Sequence, residues 1–147
     1  MTTTRTGSKT DPASAFRFYV EIGKAGAAFM ECSGLEIETE VFEYQEGGLN
    51  DYVHRLPGRT KFSNITLKRG ITTDKDLWQW YSRVMRGQVE RKNVSVILYN
   101  SQGNPVMRWN FVDAYPIKWV GPAFKADANA IAIETLQFAH RGLNPTT

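Results

Sequence analysis

The residue types best equipped for chemistry fail, group by group, on spacing. Gly47-Gly48 and Gly58, followed by Arg59-Thr60-Lys61, have the composition of a phosphate cradle. A phosphate loop sets G-x-x-x-x-G-K-S/T between a strand and a helix, so that backbone N–H groups and a lysine surround the anion. Here the glycines miss that spacing and the basic run leads into a strand, so nucleotide binding is not expected. Cys32-Ser33-Gly34 offers nucleophiles but lacks the G-x-S-x-G elbow, and no pattern ties His54 or His140 to it as a base. A small buried cysteine beside a turn is the expected reading. Glu36, Glu38 and Glu40 place carboxylates at alternate positions. Alternate side chains on a strand point in parallel, about 7 Å apart, rather than converging on a metal or a proton. A solvated or pore-facing acidic row is the expected outcome.

Basic residues are the remaining group. Lys61, Lys68, Arg69, Arg91 and Lys92, with Tyr52 or Trp109 for base stacking, could line a small basic β-barrel that holds single-stranded nucleic acid. Against this alternative stand the acidic row and a balance of 18 basic to 15 acidic residues, a net charge of only +3. A single cysteine forms no internal disulfide, and two histidines are too few for most metal sites, so neither cofactor nor metal is expected. Asn64-Ile65-Thr66 and Asn93-Val94-Ser95 match the glycosylation sequon but fall in strand patterns.

The elements that would position these residues can be read from periodicity. A chain of 147 residues, 41% hydrophobic and 22% charged, has room for one globular domain and not two. Residues 1–14 are small and polar with Pro12, and are expected to be a flexible arm ahead of a single domain over 15–147. No segment has the length or apolarity of a membrane span or secretory signal, so assembly in the cytoplasm and no stable membrane association are expected.

From Phe16 the chain alternates, with Phe16, Phe18, Val20 and Ile22 inward. A turn at Gly23–Gly26 leads to a returning hairpin arm over Ala27–Cys32. The segment LEIETEVFEYQ puts Leu35, Ile37 and Val41 opposite the glutamates, but Phe42 and Tyr44 then fall on the acidic side. Such a phase flip predicts a bulge, or a strand end that leaves the core to pack elsewhere. The segment FSNITLKR turns Ile65 and Leu67 inward and Asn64, Thr66 and Lys68 outward.

One helix is predicted, capped by Thr73 with Asp76 reaching back and ended by Gly87; Leu77, Trp78, Trp80, Tyr81, Val84 and Met85 form its apolar arc. Strands VSVILYN, VMRWNFVDAY, IKWV and IAIETLQFAHR follow, the last also changing phase from Ile131 and Ile133 to Leu136 and Phe138. The fold class is mainly β: two packed antiparallel sheets or a β-barrel, with one flanking α-helix.

Residues 46–70, EGGLNDYVHRLPGRTKFSNITLKRG, resemble the signature of inner tube proteins from contractile injection systems, in which E-G-G-x-N, L-P-G and a T-L-K-R-G strand end occur in this order. The likeness continues through DLWQWYSRVMRGQVERKNVSVILYNSQGNPVMRWNFVDAYPIKWVGP and into ANAIAIETLQFAHRGL, covering almost everything after the arm. The family includes contractile phage tail tubes and the tubes of extracellular injection particles, and shares its fold with type VI secretion tube proteins.

The resemblance implies a non-enzymatic subunit of hexameric rings, stacked into a hollow tube inside a contractile sheath. Its implied partners are further copies of itself, the sheath protein, baseplate and terminal cap proteins, and a DNA or protein cargo in the lumen. The finished tube would belong to a virion tail or a released extracellular particle. Ala130 and Arg141 depart from the glutamates that flank the last strand in such relatives, changing the charge of an inter-ring or sheath-facing surface.

On this reading Gly47-Gly48 and Pro57-Gly58 turn the chain at the two ends of a long excursion that reaches the next subunit. The expected ring interface is Glu46, Gly47, Gly48, Leu49, Asn50, Tyr52, His54, Arg55, Leu56, Pro57 and Gly58. The expected lumen face is Glu36, Glu38 and Glu40 with Asn64, Thr66 and Lys68. An acidic wall keeps a polyanion from sticking, and a closed ring removes free sheet edges.

Overall fold

The computed structural model describes residues 16–44, 53–126 and 132–146. The interface positions Glu46, Gly47, Gly48, Leu49, Asn50 and Tyr52, the arm over 1–14, and Ile131 lie outside the described residues. Period-two stretches become β1 (Arg17–Ile22), β2 (Ala25–Ala27), β3 (Glu31–Ser33), β4 (Ile37–Tyr44), β5 (His54–Phe62) and β6 (Ile65–Gly70). A helix α1 (Asp76–Met85) follows, then β7 (Lys92–Tyr99), β8 (Pro105–Val120), β9 (Ile133–Ala139) and β10 (Gly142–Thr146). The main sheet runs β2-β1-β7-β8-β9-β6-β3 with β10 also on β8, and β4 and β5 form a separate pair. The described residues are therefore mainly β with one helix, as expected, and among them the sheet does not close into a barrel.

The sheet turns a corner along β8. VMRWNFVDAY and IKWV, expected as separate strands, form one strand of 16 residues. Its first part pairs with β7, while β10 and then β9 lie successively along its other edge. At the break between β9 and β10, Arg141 N–H bonds Val112 O at 2.9 Å. Opposite, Asp113 has φ 52 and binds Arg141 at 3.1 Å. The two kinks coincide, so the sheet bends there and brings its halves onto one core.

That core joins Val20, Val94, Val96 and Phe111 from one half to Ile65, Leu67, Leu136 and Phe138 from the other. Phe111 and Phe138 meet edge to face with centroids 5.6 Å apart. The expected hairpin arm over Ala27–Cys32 does not form as one piece: β2 pairs with β1, but β3 crosses to β6. Between them Phe29 is buried in the core, and that burial sets the crossing. Gly34, φ 98, permits the turn after β3; a Cβ there would stand 2.1 Å from Asn64 O.

α1 covers the core with buried Leu77 and Trp80, while Trp78 and Met85, placed on the same arc by periodicity, are exposed. Trp78 instead packs edge-on against Trp119 at 4.8 Å. The expected Thr73 cap is absent: Lys75 precedes the helix without a side-chain cap. Asp74 Oδ1 accepts the Asp76 N–H at 3.0 Å, and Thr72 Oγ1 accepts that of Asp74 at 3.2 Å, so successive turns use those groups first. A side-chain hydrogen bond with Asp74, then burial and the like charge, raise the Asp76 carboxyl above its ordinary range.

The phase change in the last strand has a specific cause. Glu134 takes the inward position that an apolar residue would hold, beside Leu136 and Phe138, and is 3% exposed. Its Oε2 meets Arg69 Nε at 3.2 Å, and its Oε1 accepts the Trp119 indole N–H at 2.8 Å. Arg69 also donates to Asp74 O at 3.3 Å and stands 5.6 Å from the Phe29 ring centre. Removing one partner of a buried pair strands the other charge. Glu134→Ala should therefore cost about 3–5 kcal/mol in urea unfolding, and the joint replacement Arg69→Met with Glu134→Leu clearly less. Equal losses in the two proteins would contradict this account.

Cys32 pairs with Leu67 on the neighbouring strand, and burial pushes its thiol up to about 11. The unfolded thiol loses its proton near 9.0 while the folded one keeps it, so this group's contribution to stability is full below that value and falls as pH climbs toward 11. Iodoacetamide should accordingly modify the native chain slowly at neutral pH and much faster after denaturation.

Candidate functional site

The segment that motifs single out builds a two-stranded ribbon outside the core. Among the described residues β4 and β5 pair with each other and with no further strand, and every residue of β4 is exposed. The ribbon is held at its base, where Ser63 N–H bonds Glu36 O at 3.2 Å and the Phe62 ring lies 5.5 Å from that of His140. A two-stranded ribbon without a packed face gains little stability alone.

Register assigns its faces. Ile37, Thr39, Val41 and Glu43 sit opposite Phe62, Thr60, Pro57 and Arg55 on one side. Glu38, Phe42 and Tyr44 sit opposite Lys61, Leu56 and His54 on the other, with Glu40 between the first two of that row. Thr39 and Thr60 hydroxyls meet at 3.1 Å, and Glu43 and Arg55 at 3.5 Å, on the first side. On the second, Glu40 binds Lys61 at 2.8 Å, and Tyr44 stacks on His54 at 5.1 Å. That hydrogen bond and the charge of Glu40 raise the Lys61 ammonium above its ordinary value.

The phase flip after Val41 is thus a change of composition along one continuous face, acidic near the base and aromatic toward the tip. The predicted bulge exists, but on the partner strand, where Gly58 and Arg59 oppose the single Glu40. Pro57-Gly58 is therefore not a turn, as motif reading has it, but an internal bulge of β5. Pro57 cannot donate to a ladder, and Gly58 admits the close approach of β4, since a Cβ would lie 3.2 Å from Glu40 O.

Of the expected interface, His54, Arg55, Leu56, Pro57 and Gly58 are together on β5. The expected lumen set is not brought together. Glu36, Glu38 and Glu40 are exposed at the ribbon's base or along its second side. Asn64, Thr66 and Lys68 belong to β6 or its entry, and β6 pairs with β3 and β9, not β4. The outer face of β6 carries its own polar ladder, with Lys68 to Glu31 at 3.6 Å and Thr66 to Gln137 at 3.4 Å.

The basic set proposed for nucleic acid does not form a patch. Arg69 is buried on Glu134, Lys61 and Lys68 each face a glutamate, Arg91 lies over Tyr115 at 4.9 Å, and Lys92 over Trp80 at 5.6 Å. Among the described residues no cluster of His, Cys, Asp and Glu could hold a metal.

Apolar exposure on the ribbon was legible only in part. Val41, Phe42 and Leu56 are 53%, 60% and 48% exposed, on both of its sides. Motif reading named Leu56 but not Val41 or Phe42, although the phase flip marks them. Exposed apolar area of this kind, rimmed by charge, marks a surface for protein or membrane contact.

A β body folded at a corner, with a helix on its core and a bare ribbon beside it, is the tail tube fold. The chain belongs to the family of the T4-like virus tail tube protein gp19, whose model matches residues 14–144, and is a tube protein of the contractile injection system type. It is similar to a chain of an extracellular contractile injection system, PVC, solved as the sheath–tube complex in the extended state. The identity there is 29% over 99% of both chains, with a TM-score of 0.86. A chain from the PVC sheath/tube terminator is 30% identical over 89% of this chain and 94% of that one, with a TM-score of 0.82. Hcp1 from Flavobacterium johnsoniae shares the fold at 17% identity, covering 88% and 94% of the two chains, with a TM-score of 0.57. No curated protein matches the chain by sequence.

Because the ribbon's side chains touch little of their own subunit, the double variant Phe42→Ser with Leu56→Ser should shift the unfolding free energy of the dilute chain by about 1 kcal/mol or less. Urea titration followed by tryptophan fluorescence measures it.

Proposed function

We propose that this chain is a structural, non-enzymatic subunit that closes head to tail into hexameric rings, which stack into the inner tube of a phage-like contractile injection system. The observation that carries this reading is the β4–β5 ribbon, uncovered on both sides and apolar toward its tip. In water that surface is a cost; against a neighbouring copy it is a contact. Heterologous contacts close into rings and repeat along an axis, which is the symmetry a tube needs.

The ribbon contact would use His54, Arg55, Leu56, Pro57 and Gly58 together with Phe42 and Tyr44, and the connecting residues Glu46, Gly47, Gly48, Leu49, Asn50 and Tyr52. Glu36, Glu38 and Glu40, or the ladder with Asn64, Thr66 and Lys68, would face a lumen that conducts DNA or a protein effector. The tube would be built in the producing cell's cytoplasm, capped and seated on a baseplate, and driven through a target envelope by contraction of a sheath. A solved sheath–tube complex and a tube terminator among its relatives support these partners.

Negative-stain microscopy and sedimentation of the purified full-length chain test the reading. Rings or tubes with a central hole are expected for the natural chain, and a folded monomer for Phe42→Ser with Leu56→Ser. A natural chain that stays monomeric at high concentration would overturn the assembly; a double variant that assembles normally would remove the ribbon from it.

A further inference from the structure

His140 occupies the corner of the sheet, between β9 and β10, and both of its ring nitrogens face main-chain carbonyl oxygens. Nδ1 lies 3.2 Å from Gly142 O, and Nε2 lies 3.1 Å from Ser63 O. A carbonyl oxygen only accepts. A neutral imidazole has a single N–H, so it serves one carbonyl and turns a lone pair toward the other, whereas an imidazolium donates to both. The Phe111, Phe62 and Phe138 rings surround it at 4.9, 5.5 and 6.4 Å. Phe111 and Phe62 lie within the roughly 6 Å at which an aromatic ring attracts a cation.

The two carbonyls belong to different parts of the molecule. Ser63 directly follows β5 at the base of the ribbon, and Gly142 opens β10 on the body. We propose that His140 is a proton-operated pin: charged, it ties the ribbon's base to the corner of the body; neutral, it gives up one of those two bonds and the base loosens.

The strands that meet at this corner carry other charged groups, most of them engaged. Glu36 stands beyond Ser63, whose hydroxyl donates to it at 3.4 Å. On β8, Asp113 is bound by Arg141 and Arg108 by Glu21, and Lys118 is exposed toward the strand's far end. On β5, Lys61 is bound by Glu40 and Arg55 by Glu43, Arg59 lies in the bulge opposite Glu40, and His54 is at the strand's far end, stacked on Tyr44. The titratable residue of β9, Glu134, is held by Arg69 and Trp119, and residues 142–146 carry none. The change of charge at this corner is therefore assigned to the imidazole. The pin acts within one chain, whether or not the ribbon docks on a second copy.

Hydrogen–deuterium exchange of the dilute full-length chain tests it. After correction for intrinsic rates, peptides covering 36–44 and 54–62 should be about fivefold better protected near pH 5.5 than near pH 8, the difference between a charged and a neutral hydrogen bond. Peptides from β7 should not change. In His140→Gln, or in His140→Phe, which keeps the aromatic packing, the dependence on pH should vanish. Protection that is independent of pH in the natural chain, or a dependence that survives in either variant, overturns the pin. Should both variants fail to fold, ¹⁵N spectra of the natural chain, with the His140 signals told from those of His54 by a His54→Gln chain, decide: protons on both ring nitrogens of His140 near pH 5.5 support it, and a neutral ring there overturns it.

Discussion

The buried pair of Arg69 and Glu134 is the interaction on which the body of this protein depends. Two charges in a core cost several kcal/mol to desolvate, and only dense hydrogen bonding offsets that cost. Glu134 receives the Arg69 guanidinium on one oxygen and the Trp119 indole on the other, while Arg69 reaches the Asp74 carbonyl before α1. The pair therefore joins β6, β9, the end of β8 and the approach to the helix. No buried side-chain polar atom among the described residues lacks a partner. An apolar pair of similar volume could pack there, but without the directional bonds that link these segments. Both members lie in segments that resemble the family signature, T-L-K-R-G and E-T-L, far apart in the chain.

Around that fixed body the structure divides its labour by burial. The main sheet folds at the Asp113 and His140–Arg141 corner and places Phe111 against Phe138, and α1 adds Leu77 and Trp80. The ribbon takes the opposite course. Its residues satisfy one another across two strands through a threonine pair, two ion pairs and a stacked tyrosine and histidine, and leave Val41, Phe42 and Leu56 to water. A subunit built to assemble needs both: a core that holds its shape alone, and a surface whose stability is completed elsewhere.

Legibility in the sequence followed the same division. Where one face of a strand is buried, as in β6 with Ile65 and Leu67 inward, alternation predicts it correctly. Where both faces are exposed, alternation has no core to report. Pro57-Gly58 then imitates a turn, although the backbone continues as a strand through a bulge opposite Glu40. The apolar arc of α1 was half right because Trp78 found Trp119 instead of the core. In β9 an inward glutamate disguised a regular strand as one that changes phase, since its partner lies 65 positions away.

By itself, the sequence determined the β-rich class, the one helix of the described residues and its end at Gly87, the inward rows of β6 and of β1 from Phe18 to Ile22, though not at the exposed Phe16, and membership of the tube family through motifs in register. These depend on local periodicity and on short backbone signals, which a chain carries wherever it folds. Tertiary structure alone decided that β4 pairs with β5 and not with β6, that β8 is one strand bent at a corner, that Arg69 meets Glu134, and that His140 stands between two carbonyls. Each of those depends on residues distant in the chain arriving at one place, and such meetings leave no period to read.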